Sequence, residues 1–240
     1  MPDRRQTLIG AASVAAASLA TRATAAPSAA KAQDDIYDYV FVDLAPGAGS
    51  QKAFVQGLGN IAAGVLAAGG EAIGYFTPLI GWTSQQVAVM LRWKGDSAGR
   101  EQTVHAIETH PAVASTVRSR LAATTRPAPT DLPLTTGIYT HRWFEVKTAD
   151  VPEVIDLSDR AWPAFEREFA SRIYGLFRVT QTPEDISRGV TRLLLNTQYD
   201  SHTVWEDSRR PSSEPADLFS RRGELTLTTR VASIRYHRLG

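Results

Sequence analysis

The hydrophobic positions of this chain follow two different periods along its first half. Alternation of apolar and polar residues predicts a strand, because successive strand side chains point to opposite faces. It marks three segments, at 36–44, 73–76 and 86–94. Between the first two, apolar residues recur every three or four positions, which predicts a helix. Apolar residues from 104 to 121 predict a broken helix, and a short strand is expected at 122–126.

The second half of the chain repeats this pattern. Residues 36–44 return as residues 138–146 at an offset of 102, and Gly-Tyr-Phe at 74–76 returns as Gly-Leu-Phe at 175–177. Strands are predicted at 138–146, 172–180, 189–199 and 225–237, and helices at 152–169 and 202–222. Each half therefore has the order βαββαβ, which is the ferredoxin-like unit with helices on one face of a sheet.

These repeats predict an α+β fold in which two tandem ferredoxin-like units form a pseudo-dimeric barrel. A sheet face without helices needs a cover, and two units on one chain supply that cover to each other. We place the first repeat at 36–127 and the second at 138–240, joined by a Pro-rich linker at 128–137.

The N-terminus has the layout of an export signal. Arg4 and Arg5 precede an apolar run at 8–20, and small residues at 23–25 suit cleavage. This order is typical of a twin-arginine signal peptide at 1–25, followed by a flexible segment at 26–35. The run is too short and too rich in alanine to span a bilayer. We therefore expect a periplasmic or extracellular protein.

Composition excludes several classes of function. The whole chain has a net charge of +1, and loss of residues 1–25 leaves −1. This balance gives no reason to expect nucleic acid or, after signal cleavage, a membrane as partner. The chain has no cysteine, so disulfides, thiolate metal sites and cysteine nucleophiles are excluded.

The second half resembles the NIPSNAP family. The resemblance covers residues 137–240 best and rests on GIYTHRWFEV at 137–146, AWPAFE at 161–166 and GLF at 175–177. That family belongs to the dimeric α+β barrel superfamily, which includes cofactor-independent monooxygenases and haem-binding enzymes. NIPSNAP-like members mostly lack an assigned reaction, so the resemblance implies the fold more than any chemistry.

Strand alternation selects the residues expected to line the barrel. In the first strand of each half, one face is aliphatic apart from a few polar residues such as Thr140 and Arg142, and should meet the helices. The other face is aromatic with polar tips and should point inward, where small barrels hold ligands. The predicted ligand-binding residues are Tyr39, Tyr139, Trp143, Glu145, Asn196 and Gln198. The two amides could equally hold strands together.

His141 lies on the same inward face and is the candidate catalytic residue. Histidine titrates near neutral pH, so it could serve as base, acid or axial ligand. The alternative is a buried histidine that is hydrogen-bonded to a neighbouring strand. We predict no metal site, since His202 and Glu206 are only two ligands, and we place Arg221 and Arg222 on a solvated helical face.

The leading functional hypothesis is a barrel that binds a small aromatic or apolar molecule without a cofactor. One alternative is an oxidative or isomerising enzyme on the same scaffold, either free of cofactor or with haem held by His141. Another is a serine hydrolase, because Gly-x-Ser-x-Gly at 95–99 places Ser97 after a strand. Association into a homo-oligomer is a further expectation.

Overall fold

The computed structural model describes residues 35–47, 49–96, 98–128 and 134–239. The strands in these ranges are β1 (Asp35–Leu44), β2 (Gly70–Ile80), β3 (Gln86–Lys94), β4 (Val113–Ala123), β5 (Ile138–Lys147), β6 (Ser171–Val179), β7 (Val190–Tyr199) and β8 (Thr226–His237). The helices are α1 (Ser50–Ala67), α2 (Ala98–Glu108), α3 (Val151–Glu168), α4 (Pro183–Ser187), α5 (His202–Asp207) and α6 (Ser213–Glu224). The predicted signal peptide, the predicted flexible segment apart from its last residue, Ser97, and half of the Pro-rich linker (129–133) lie outside the described residues.

The described strands close into one antiparallel barrel. Their order around it is β1-β3-β2-β8-β5-β7-β6-β4. Within each half the strands take corresponding places, β4-β1-β3-β2 and β8-β5-β7-β6, and the halves meet where β2 pairs with β8 and β4 with β6. A closed barrel leaves no unpaired edge, so a single chain completes it without a partner strand.

The prediction of a broken helix beyond residue 109 is wrong. Residues Val113–Ala123 form β4, which pairs with β1 and, near its end, with β6. Val113, Val117 and Leu121 are spaced by four, and this spacing fits the period of a strand as well as that of a helix. The predicted helix at 202–222 is two helices, α5 and α6. Pro163 lies inside α3, which continues through it.

Apolar side chains form three buried clusters. One fills the barrel and draws on strands of both halves. The second lies between α1, α2 and the outer face of β1 and β3, and the third between α3 and the outer face of β5, β6 and β7. The predicted alternation of β1 and β5 is confirmed: Tyr39 and Tyr139 pack inside the barrel, while Val40 and Phe144 pack against helices.

A cluster of buried charged side chains lies on the outer face of the first half. Asp38 is fully buried on β1, and its carboxylate accepts from Arg100 Nε at 2.7 Å and Arg118 Nε at 2.9 Å. Trp93 Nε1 donates to the same carboxylate at 3.0 Å. Two guanidinium groups therefore share one carboxylate whose lone pairs are fully engaged, which is the condition for burying such charges.

Candidate functional site

A cavity of about 360 Å³ opens between the strands of the two halves. One side of its wall is aromatic, formed by Tyr39 and Phe41 from β1, Trp143 from β5, and Trp82 from the β2–β3 connection. Charged side chains line it as well, namely Glu145, Arg192 and Arg230. The ring centroids of Tyr39 and Trp143 are 5.3 Å apart, and those of Phe41 and Trp82 are 5.0 Å apart. Edge-to-face packing at these distances gives a firm apolar wall that suits a planar ligand.

His141 lies behind this wall and is fully buried. Its Nδ1 is 2.9 Å from the Tyr39 hydroxyl, and its ring packs 4.4 Å from Phe76 and 6.0 Å from Trp82. Burial lowers the pKa of His141 to about 3. The expectation of a histidine that titrates near neutral pH is therefore wrong, because the surrounding rings offer the imidazolium no charge partner.

The hydrogen bond to Tyr39 occupies Nδ1 of His141, so Nε2 is the nitrogen without a hydrogen-bond partner. Tyr39 is buried, and its hydroxyl has no other described partner, so it donates its proton to Nδ1. Nε2 then carries the remaining proton of the neutral ring. No described group within hydrogen-bond distance meets that Nε2–H.

Asn196 adds two more free polar atoms beside His141. The residues face each other directly across β5 and β7, a placement that brings Cβ atoms within about 5 Å. Asn196 is fully buried, and neither its amide nitrogen nor its amide oxygen has a partner among the described residues. Each unsatisfied buried polar atom costs about 1–3 kcal/mol. Three of them on two paired residues mark a place where a ligand's polar atoms would be stabilised.

The remaining predicted residues divide between the cavity and the surrounding structure. Trp143 and Glu145 line the cavity, and Glu145 is ion-paired with Arg188 at its mouth. Tyr139 and Gln198 are not among the residues that line this cavity. The Tyr139 hydroxyl donates to Thr135 O at 2.8 Å, and Gln198 donates to Thr135 Oγ1 at 2.9 Å. Their role as ligand contacts stays a prediction.

His141 is fully buried, and the rings of Tyr39, Phe76 and Trp82 pack around it. In this arrangement haem could reach His141 Nε2 only if these side chains were displaced. No group of three or more metal-ligating side chains occurs among residues 35–47, 49–96, 98–128 and 134–239.

The hydrolase hypothesis is not tested directly, since Ser97 is not described. The strand before it, β3, belongs to an antiparallel barrel, whereas that motif acts at a strand-to-helix turn of an α/β-hydrolase sheet.

Sequence reasoning missed Phe41, Phe76 and Trp82. Alternation places Phe41 on the inward face of β1, but its contact with the cavity wall is made with Trp82. Trp82 lies in a loop, where the sequence has no hydrophobic period that could predict its position. Phe76 faces His141 because the register of β2 shifts between Ala72 and Gly74. A register shift is set by pairing with neighbouring strands, so alternation alone cannot locate it.

Comparison with known proteins identifies relatives by structure alone. No protein-family model matches the chain, and no curated protein sequence matches it. An anthrone oxidase-like protein superposes with a TM-score of 0.59 at 10% identity, covering 85% of this chain and 92% of its own. A candidate monooxygenase from Lactobacillus acidophilus NCFM gives 0.56 at 9% identity, covering 84% and 93%. A mutant chlorite dismutase from Candidatus Nitrospira defluvii gives 0.56 at 5% identity, covering 87% and 93%.

The chain has the dimeric α+β barrel fold. The predicted barrel fold is thus supported by the closed barrel and by neighbours that align over most of their length. At these identities the likeness concerns the fold and not the chemistry. No helix in the described part of the chain combines the length and apolar character needed to cross a membrane.

Proposed function

We propose that the barrel binds a small aromatic molecule that carries a polar oxygen. The observation that carries this proposal is the set of three unpartnered atoms, His141 Nε2 and the amide atoms of Asn196, behind an aromatic cavity. The Nε2–H and the amide N–H would donate to a carbonyl or hydroxyl oxygen, and the amide oxygen would accept from a hydroxyl. Trp82 belongs to a loop, so its ring can move aside without disturbing the strands.

Titration with 1-naphthol, with naphthalene as the matched apolar probe, tests this proposal. Quenching of the wall tryptophans, Trp82 and Trp143, reports binding. We expect 1-naphthol to bind about tenfold more tightly, because its hydroxyl satisfies buried atoms that naphthalene leaves unpaired. Asn196→Leu should reduce that difference, because His141 Nε2–H is then the remaining free donor of the set, and Tyr139→Phe should preserve it. Equal affinity for both probes in the wild-type protein would contradict the proposal.

A second candidate is oxidation of such a ligand by dioxygen. The names of the anthrone oxidase-like and candidate monooxygenase neighbours favour it. Anthrone would be the test substrate: with one O₂ it gives anthraquinone and one water. The low pKa of His141 makes it a weak proton acceptor, so the carboxylate of Glu145 is the better base among the described cavity residues. Glu145→Gln should then slow O₂ consumption at least about tenfold, without weakening 1-naphthol binding.

We further propose that the two halves are tandem ferredoxin-like repeats of NIPSNAP type, exported by the twin-arginine route. The echo of residues 36–44 in 138–146 and the corresponding strand orders of the halves support duplication. Export can be tested by fractionating host cells that express the full chain. Substitution of Arg4 and Arg5 by lysine should retain the protein in the cytoplasm, and unchanged export would contradict the assigned route.

A further inference from the structure

A second and larger cleft lies on the outer face of the second half. It measures about 770 Å³ and is bounded by β5, β7 and β8 on one side and by α3 and α6 on the other. Its walls are strongly aromatic, formed by Phe144, Trp162, Phe165, Tyr199, Trp205 and Phe219. Arg142 of β5, Arg222 of α6 and Arg209 line it as well. The cleft is within the size range of small-molecule sites, but three arginines in an aromatic wall are unusual.

The charge of Arg222 is buried, and no described carboxylate lies beside it as a counterion. The side chain is 9% exposed, and its guanidinium lies 4.6 Å from the Phe219 ring and 5.2 Å from the Phe144 ring. Its one described hydrogen bond is Nη1 to Ser158 Oγ, at 3.2 Å. Burial and then repulsion by Arg142 lower the pKa of Arg222 to about 10, with no carboxylate acting on it. The prediction of a solvated Arg222 is wrong, whereas Arg221 beside it is exposed as expected.

Arg142 is half-buried and lines the same cleft. Burial lowers its pKa and Arg209 lowers it further, while Tyr199 raises it and no described carboxylate acts on it. Two guanidinium groups therefore face one cleft, and most of their N–H donors have no described acceptor. Buried arginines in proteins are normally paired, because an unpaired ion loses its hydration without compensation.

The first half shows how this fold can neutralise a buried arginine. There Arg100, from the second helix of its half, meets Asp38 on the first strand. The corresponding position in the second half, 102 residues on, is Thr140, which is 2% exposed and lines the cleft. The second half therefore also has a buried arginine on its last helix, Arg222, but it has no carboxylate at the position of Asp38. The cleft lies there instead.

We propose that this cleft binds an organic carboxylate with an aromatic or extended apolar body. The carboxylate would lie between Arg142 and Arg222, whose planar guanidinium groups match it with paired hydrogen bonds. The apolar body would rest against Phe144, Trp162 and Phe219, which together exclude water and so strengthen the ionic contacts. This ligand is additional to the one proposed for the barrel interior.

The test uses 1-pyrenebutyrate, a fluorescent carboxylate with a large aromatic body, and 1-pyrenebutanol as its neutral counterpart. The full chain is titrated with each probe. We expect the carboxylate to bind at least about tenfold more tightly than the alcohol, and Arg142→Met and Arg222→Met each to weaken it by about tenfold or more. Arg221→Met is the matched control: this neighbour of Arg222 pairs with Glu153 and Glu224 on the exposed side of α6 and should not change the affinity.

Circular dichroism melting of each variant separates loss of a contact from loss of the fold. If Arg222→Met does not fold, Arg142→Met decides the matter. Equal affinity for the two probes, or the same loss in Arg221→Met, would overturn the proposal. It would also be overturned if Trp143→Leu in the barrel removed the binding.

Discussion

The outer faces of the two halves bury arginine in opposite ways. In the first half, Asp38 accepts hydrogen bonds from Arg100 and Arg118, and the space between strand and helix is filled. In the second half, Arg142 and Arg222 face an open cleft with no described carboxylate. One strand position distinguishes the faces: it is aspartate in β1 and threonine in β5. The comparison teaches that a buried arginine on this fold is either neutralised by an internal acid or left facing open space, which is the basis for the ligand proposed above.

The first prediction tests the closed face. Asp38→Asn keeps the shape of the side chain but leaves two buried guanidinium groups without a carboxylate. We expect the free energy of unfolding to fall by about 3–5 kcal/mol, as in other buried pairs that lose one partner. Urea denaturation followed by circular dichroism measures it.

The matched control for Asp38→Asn is Asp96→Asn. Asp96 also accepts from Arg100, at 2.9 Å, but its side chain is 65% exposed. Water replaces such a contact at little cost, so unfolding should be nearly unchanged. Similar losses in both variants would show that burial is not what makes Asp38 important, and the contrast between the faces would fail.

The second prediction concerns the open face. Arg222→Met removes a buried charge that no described carboxylate offsets and fills similar volume with an apolar chain. The unliganded protein should become more stable by about 2 kcal/mol, a figure in line with replacement of buried ionic groups by apolar ones. Urea denaturation without ligand tests this. A loss of stability comparable to that of Asp38→Asn would show that Arg222 is a structural residue.

The third prediction extends the comparison to the barrel interior, where His141 is buried in its neutral form. Its folded-state pKa lies below the unfolded value, so the unfolded chain binds more protons between these two pKa values. Stability should therefore rise with pH and level off above about 6.5. Between pH 5 and 6.5 we expect a gain of about 1.5 kcal/mol.

Urea denaturation across that pH range, with His141→Leu, checks the assignment. The variant should lose most of the pH dependence, whatever its absolute stability. His105→Gln serves as the control, since His105 is largely exposed and should leave the slope intact. A slope that persists in His141→Leu would mean that other groups cause it.

The fold could be predicted from the chain because its signals are local and occur twice. Strand β3 was predicted with its observed bounds, and β1, β5 and α3 to within one residue. The inward placement of Tyr39, His141 and Trp143 followed from alternation alone. Strand β4 was missed because a spacing of four residues fits both periods.

The site was predictable only in part, because its properties depend on contacts distant in sequence. His141 was found by its residue type, but its low pKa results from Phe76, Trp82 and Tyr39 on other elements. Arg222 was placed on a solvated face because charged residues in a helix usually are. Only the packing of α6 against α3 and β8 reveals its burial, and nothing local distinguishes it from Arg221.

The last prediction converts one face into the other. Thr140→Asp places a carboxylate at the position of Asp38, between Arg142 and Arg222, where it would accept hydrogen bonds from either guanidinium. We expect 1-pyrenebutyrate to bind at least about tenfold more weakly, because the internal acid competes for the same donors. Stability should rise by about 1 kcal/mol, since the ionic hydrogen bonds exceed the cost of burying one more charge only slightly.

Thr140→Asn, similar in shape but neutral, should retain the affinity. If Thr140→Asp bound the probe as the wild type does, the arginines would not be its receptor, and the correspondence between the two faces would be one of position only.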